Sequence, residues 1–201
     1  MGRYTGPACR LCRREGMKIC DKHKCATVKR NYPPGMHGKD QHSKPSDFAK
    51  QLREKQKAKR IFGISEKQIK KYYNRATASA EESGLELLRQ METRLDNAVF
   101  RSGLATTRRQ ARQWVAHGLF TLNGKRINVP SVQVEANDVF ALREKNKKMP
   151  AFANFDKKKL NTPSWLKLDV QTLSGQIINR PEKEDVELAI APQMIIEFYS
   201  R

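Results

Sequence analysis

The segment from Glu92 to Leu142 constrains this chain more than any other part of it. Leu95, Val99 and Phe100 recur near helical spacing, and Gly103 then breaks the pattern. Thr106 or Thr107 can cap a second helix whose buried side is Ala111, Trp114 and Val115, with Gly118 past its end. Leu119–Leu122 and Arg126–Val129 then flank Asn123-Gly124, a dipeptide that accepts the positive φ values of a type I′ hairpin turn. A further strand, Asp138–Leu142, completes a small antiparallel sheet. Helical periodicity followed by alternating short strands predicts an α+β unit.

The charges on this segment are uneven. Arg108, Arg109 and Arg112 crowd the first turns of the second helix, away from Ala111 and Val115, and Lys125 and Arg126 follow the hairpin turn. Outward arginines offer forked donors matched to phosphate oxygens, and their planes can stack on bases. An R-R-x-x-R run on its own is usually a solvated helix face. Here no acid lies between Asp96 and Glu135 to pair with these groups, so the segment reads as an RNA-binding module.

Its residue order also resembles a known family. R-L-D-N-A-V-F-R-S-G-L-A, then T-R-R-Q-A-R-Q-W-V-A-H-G, then L-N-G-K-R-I-N-V-P-S, are similar to the RNA-binding domain of the bacterial small-subunit ribosomal protein S4 family. The same module occurs in pseudouridine synthases, tyrosyl-tRNA synthetases and a heat-shock RNA-binding protein, so the remainder of the chain must discriminate.

In 201 residues, 40 Lys and Arg face 21 Asp and Glu, a formal charge of +19, with pI about 10.0. A polyanionic partner follows, because neutralising phosphates releases counterions. The rival is an anionic membrane surface. The sequence shows no run of about 18 apolar residues and no signal-peptide pattern, so a cytosolic, membrane-free location is expected. Residues 1–75 hold 21 basic and 6 acidic residues, net +15, against +4 for residues 76–201. The first third therefore calls for an anionic surface of its own.

Cys9, Cys12, Cys20 and Cys25 are spaced C-x2-C-x7-C-x4-C. A C-x2-C knuckle presents two thiolates to one ion and a later pair completes a tetrahedron, with His23 as a spare ligand. Zinc is the expected metal, an all-thiolate iron–sulfur cluster the alternative, and four cysteines leave no open position for metal catalysis. Arg3, Arg10, Arg13 and Arg14, with Lys18, Lys22, Lys24, Lys29 and Arg30, surround these ligands, so the metal would replace a core and hold basic loops in one shape. This start resembles the same family: Gly2, Arg3, Tyr4, Gly6 and Pro7, then Arg13, Arg14, Glu15 and Gly16. Family members occur with and without the four cysteines.

Tyr32-Pro33-Pro34-Gly35-Met36-His37-Gly38 reads as an extended connector, with His37 and His42 as solvated loop residues. The resemblance places the loop after it near the path by which mRNA enters the ribosome. Relatives often carry several arginines there, whereas this chain has Lys39 and Lys44 opposed by Asp40 and Asp47.

Ser46 and Asp47 open a helix that Gly63 closes, with Phe48, Leu52, Ala58, Ile61 and Phe62 as buried contacts. Lys50, Arg53, Lys57 and Arg60 form a basic stripe offset by Glu54 alone, which favours RNA contact over a solvated face. Ser65 and Gln68 make a capping box for a helix carrying Ile69, Tyr72, Tyr73 and Ala76, the tyrosines expected in the core rather than as stacking platforms. Ser83 with Glu86 repeats the pattern ahead of a stripe of Leu85, Leu88, Met91, Leu95 and Val99. Residues 143–164 read as a short helix and a loop. A strand begins at Pro163–Asp169, Gly175 marks a turn, and Gln176–Asn179 returns, with Trp165 packed on the sheet. The terminal M-I-I-E-F-Y should fold back onto the first helices, and I-E-F-Y-S-R resembles the family's C-terminus.

The expected organisation is α+β: a zinc-pinned basic extension at 1–45, a mainly helical domain at 46–91 completed by 185–201, and an inserted S4-type RNA-binding domain at 92–184. The family resemblance implies direct binding to 16S rRNA, nucleation of small-subunit assembly, contact with ribosomal protein S5 and an influence on decoding accuracy. It also implies a possible meeting with mRNA; no homo-oligomer is expected. The competing classes are an RNA-modifying enzyme using the module as a handle, a heat-shock RNA-binding protein, and a zinc redox sensor. An enzyme would need a catalytic domain, and no nucleophile–base constellation or phosphate-cradling Gly loop appears in the chain.

Overall fold

The computed structural model describes residues 4–22, 24–40, 44–152, 162–187 and 189–201. Its helices are α1 (Ala8–Glu15), α2 (Asp47–Ile61), α3 (Glu66–Thr77), α4 (Ser83–Glu92), α5 (Leu95–Arg101), α6 (Arg108–Ala116), α7 (Glu144–Lys147) and α8 (Pro192–Tyr199). Its strands are β1 (Phe120–Leu122), β2 (Lys125–Arg126), β3 (Val139–Leu142), β4 (Leu166–Asp169) and β5 (Ser174–Ile177). The fold is α+β, as expected. No helix among the described residues is long and apolar enough to cross a membrane.

Two compact units result. One comprises Met1–Leu87 and Ala189–Arg201; the other is Leu88–Leu188. In the first, hydroxyl caps fix the helix starts: Ser46 Oγ accepts from Ala49 N at 3.3 Å, and Ser65 Oγ accepts from Gln68 N at 3.4 Å. Gly63, at φ 62°, takes the left-handed turn that ends α2. Ala58, Ile61, Phe62, Ile64, Ile69, Tyr72, Ala76 and Ile195 are buried. Phe48 was expected among them but is exposed, its ring lying 5.6 Å from that of Phe198. On α4, Leu87, Leu88 and Met91 are each buried, and Leu85 is only half-buried.

The last helix is held by polar contacts as well as packing. Gln51 Nε2 donates to Glu197 Oε2 at 2.9 Å, Ala191 N donates to Glu54 Oε2 at 3.2 Å, and Tyr199 OH donates to Glu66 Oε1 at 2.6 Å. Lys55 is buried against the Phe198 ring, with its ammonium 2.7 Å from Glu66. Tyr73 belongs to this cluster, its ring centroid 5.0 Å from that of Tyr199.

In the second unit the sheet is antiparallel throughout, in the order β2-β1-β3-β5-β4. Asn123 and Gly124 have φ 49° and 79°, the turn anticipated from the dipeptide. β2 stops after two residues because the chain leaves to cap a helix. Leu95 N donates to Val132 O and Asp96 N to Pro130 O, satisfying the first amides of α5, which has no side-chain cap. Leu95, Val99, Ala111, Val115, Phe120, Phe140, Trp165 and Ile177 form the core between helices and sheet. Trp114 is half-buried, its ring 4.7 Å from that of Phe152.

Gly175 does not make the turn expected of it. It lies within β5, opposite Phe140 and Leu168, and the turn is Val170–Leu173, where Leu173 itself takes φ 54°. The glycine is needed for space: a Cβ there would stand 2.3 Å from Phe140 Cζ.

Candidate nucleic-acid interface and metal centre

Cys9 and Cys12 lie one turn apart on α1, in a helix rather than the expected knuckle. Gly16, at φ 69°, ends that helix and lets the chain return past Cys20 and Cys25. The sulfurs of Cys9, Cys20 and Cys25 lie within 4.8 Å of one another, with Cys9 Sγ 4.0 Å from Cys25 Sγ. Cys12 is fully buried but lies outside that group of three sulfurs. Tetrahedral zinc with bonds of about 2.3 Å requires sulfurs roughly 3.8 Å apart, so this donor set fits the ion. Burial pushes the Cys20 thiol up to about 12, helped by Cys12 and Cys25. Burial also acts to raise Cys25, but hydrogen bonds from Thr27, Cys20 and Cys12 outweigh it and bring Cys25 down to about 6. His23 lies outside the described residues.

The surrounding arginines divide by task. Arg13 lies 4.5 Å over the Tyr32 ring and donates to the carbonyls of Tyr32 and Pro33 at 3.0 and 3.2 Å, tying the connector to α1. Arg10 and Arg14 are exposed. Arg3 lies outside the described residues.

The basic stripe of α2 is more compensated than its neighbours in sequence indicate. Lys50 pairs with Asp47 at 2.8 Å, and Lys57 pairs with Glu54 and donates to Ala189 O at 3.0 Å. Arg53 and Arg60 both converge on Glu15 Oε1, whose side chain is fully shielded from solvent. Glu54 is therefore not the lone counter-charge, because α1 supplies Glu15. Desolvation raises the Glu15 pKa against the pull of Arg60, Arg53, Arg14 and Lys57, and its Oε2 has no hydrogen-bond partner among the described residues.

On α6, Thr107 is the cap: its hydroxyl accepts from Gln110 N at 3.1 Å, and Gln110 Oε1 accepts from Thr106 N and Oγ1. This sets Arg108, Arg109 and Arg112 on the first turns, away from the buried Ala111 and Val115. The absence of acids between Asp96 and Glu135 does not leave them uncompensated. Arg108 Nη2 donates to Glu187 Oε2 at 2.6 Å, and Arg112 reaches Asp96 at 3.5 Å. Arg109 is exposed, as are Lys125 and Arg126 on β2. Arg126 is placed by Gly118, where a Cβ would stand 2.7 Å from its Nε; the guanidinium so lies over the C-terminal end of α6.

Sequence reasoning missed a buried polar network beneath these cations. Arg94 binds Asp96 through Nε and Nη2 at 2.9 and 2.8 Å. Arg101 binds the fully buried Glu92 at 3.0 and 2.6 Å, and Asn97 links Glu92 to Arg108 Nε. Glu92 and Asp96 flank the apolar residue Leu95, and that polar–apolar–polar mixture was the available signal.

An α+β chain with an arginine-faced helix pair, a five-stranded sheet and a cysteine-pinned basic start has the parts of an S4-domain protein. Residues 3–92 match the family described as ribosomal protein S4/S9 N-terminal domain, and residues 93–140 match the S4 domain. The small ribosomal subunit protein uS4 of Heliobacterium modesticaldum is 48% identical over 209 residues, covering 100% of both chains. The uS4A protein of Alkaliphilus oremlandii is 48% identical and the uS4 protein of Desulfitobacterium hafniense 46%, each over 208 residues and the full length of both chains. The chain belongs to the uS4 family of small ribosomal subunit proteins.

Proposed function

We propose that this chain is a structural component of the cytoplasmic small ribosomal subunit that binds 16S rRNA directly, nucleates assembly and turns over no substrate. The observation that carries this reading is the extent of the match: relatives named as small-subunit proteins align with the entire chain and not with the RNA-binding module alone. The charge of +19 supports it, since a polyanion of ribosomal size offsets that self-repulsion.

The mechanism is positional. Arg108, Arg109, Arg112, Lys125 and Arg126 present donors from short elements whose geometry is set by a cap, a tight hairpin and the buried network. Arg10 and Arg14 extend the contact from α1, joined by Arg3 and by Lys50, Arg53, Lys57 and Arg60 of the stripe. Phosphate contacts of this kind fix register and read helical shape rather than base sequence. Cys9, Cys12, Cys20 and Cys25 hold one zinc ion, which supplies cross-linking and no catalysis. Contact with ribosomal protein S5, and through it an effect on decoding accuracy, belongs to the same reading.

The test is filter binding of the purified chain to a 16S rRNA transcript and to an unrelated structured RNA, with sedimentation of a tagged chain from cell extract. Selective binding and co-sedimentation with small subunits are expected. Equal binding to both RNAs, or absence from subunit fractions, would overturn the proposal.

A further inference from the structure

Arg101 and Arg108 converge on a single oxygen. Glu187 Oε2 lies 2.6 Å from Arg108 Nη2 and 3.5 Å from Arg101 Nη2. The two arginines are otherwise fixed. Arg101 is clamped to the buried Glu92 through two nitrogens, and Arg108 lies 4.5 Å over the Phe100 ring while its Nε donates to Asn97 Oδ1 at 3.0 Å. Neither needs Glu187 to hold its place. Glu187 itself sits outside any helix or strand and remains 24% exposed, so rotation about its own side-chain bonds suffices to withdraw it.

Glu92 and Asp185 both act on Arg101, while Glu187 is shared between Arg101 and Arg108. With the Glu187 carboxylate withdrawn, two fixed guanidinium groups and an aromatic ring border the position it leaves. An anionic oxygen shared by two guanidinium groups is the contact a phosphodiester makes.

We propose that Arg101 and Arg108 form a phosphodiester subsite that Glu187 occupies in the free chain, so that RNA docks there by exchanging a phosphate oxygen for Glu187 Oε2. This rests on the reading that the chain binds rRNA. It adds Arg101 to the interface and makes Glu187 an intramolecular competitor that lowers affinity by the fraction of molecules in which the pair is closed.

The test is filter binding of the full chain to a 16S rRNA transcript at one salt concentration. Glu187→Gln, Arg108→Gln, the double variant, and Glu184→Gln, an exposed acid three residues away, are compared with wild type. Removing the competitor should tighten binding about fivefold, the population factor of a partly exposed ion pair. Glu184→Gln should leave affinity near wild type, and the gain should vanish in the Arg108→Gln background. Unchanged or weaker binding by Glu187→Gln, or an equal gain with Arg108 absent, would overturn the proposal. So would unfolding of Glu187→Gln in a thermal melt, since the carboxylate would then be an anchor and not an exchangeable cap. A wild-type chain that fails to bind the transcript removes both readings, whereas binding without a gain removes only this one.

Discussion

Replacing Arg108, Arg109 and Arg112 together with alanine isolates the contribution of α6 to RNA affinity. Each lost phosphate contact lowers the slope of log affinity against log salt by roughly 0.9, so three contacts remove about 2.7 units. Between about 50 and 200 mM salt, wild type should therefore lose about 40-fold more affinity than the variant. The structure limits the confounding cost in stability. Asp96 keeps its two bonds from Arg94 when Arg112 is removed, and Glu187 is free to turn to water when Arg108 is removed. The larger cost is at Asn97, whose buried Oδ1 loses its Arg108 donor, worth about 1–3 kcal/mol. Ala111 and Val115, which face the core, are untouched. Filter binding across a salt series, with thermal melts of both proteins, reads both quantities. Unchanged slope in a variant that melts like wild type would remove α6 from the interface.

Three further outcomes are expected. Cys9→Ser with Cys12→Ser should release zinc, measured by elemental analysis, and open residues 1–45 to protease while residues 46–201 resist digestion; a digestion pattern identical to wild type would contradict the metal assignment. Gly175→Ala should destabilise the chain by about 1–3 kcal/mol in urea titration, because its Cβ would stand 2.3 Å from the Phe140 ring. For Glu66, burial acts to raise the pKa, but hydrogen bonds from Lys55, Tyr199 and Lys59 outweigh it and hold the carboxyl below its ordinary range. A depressed pKa stabilises the fold above the ordinary value of 4.5 and is lost as pH falls through the folded one. Glu66→Gln should accordingly melt lower than wild type at neutral pH, with the gap closing in acid; a gap constant with pH would refute the linkage.

What the sequence made legible was local. Ser46, Ser65 and Thr107 cap helices through amides three residues ahead, and Asn123-Gly124 turns a hairpin through its own backbone preferences. Such signals need no knowledge of the remaining fold. What stayed hidden depends on residues brought together from afar. Glu15 neutralises Arg53 and Arg60 across 38 and 45 residues, and Glu187 reaches Arg108 across 79. Counting charges within a stretch could not find either acid. Gly175 misled for the same reason, since its cause is the ring of Phe140 on the neighbouring strand and not a turn. The cysteine spacing pointed to candidate ligands but not to the helix that carries Cys9 and Cys12, because i and i+3 satisfy either geometry.

The docking of α8 on α2 has a consequence for how the polypeptide matures. Gln51 and Glu197 are 146 residues apart, and all of Leu88–Leu188 lies between them. On a ribosome extending the chain at about 5–20 residues per second, α2 waits several seconds for its packing partner. The intervening sheet and helices can close in that interval, with their arginines displayed, so the later-encoded unit is the first ready to meet RNA. Until α8 emerges, the apolar side of α2 stays open to chaperones or to wrong contacts.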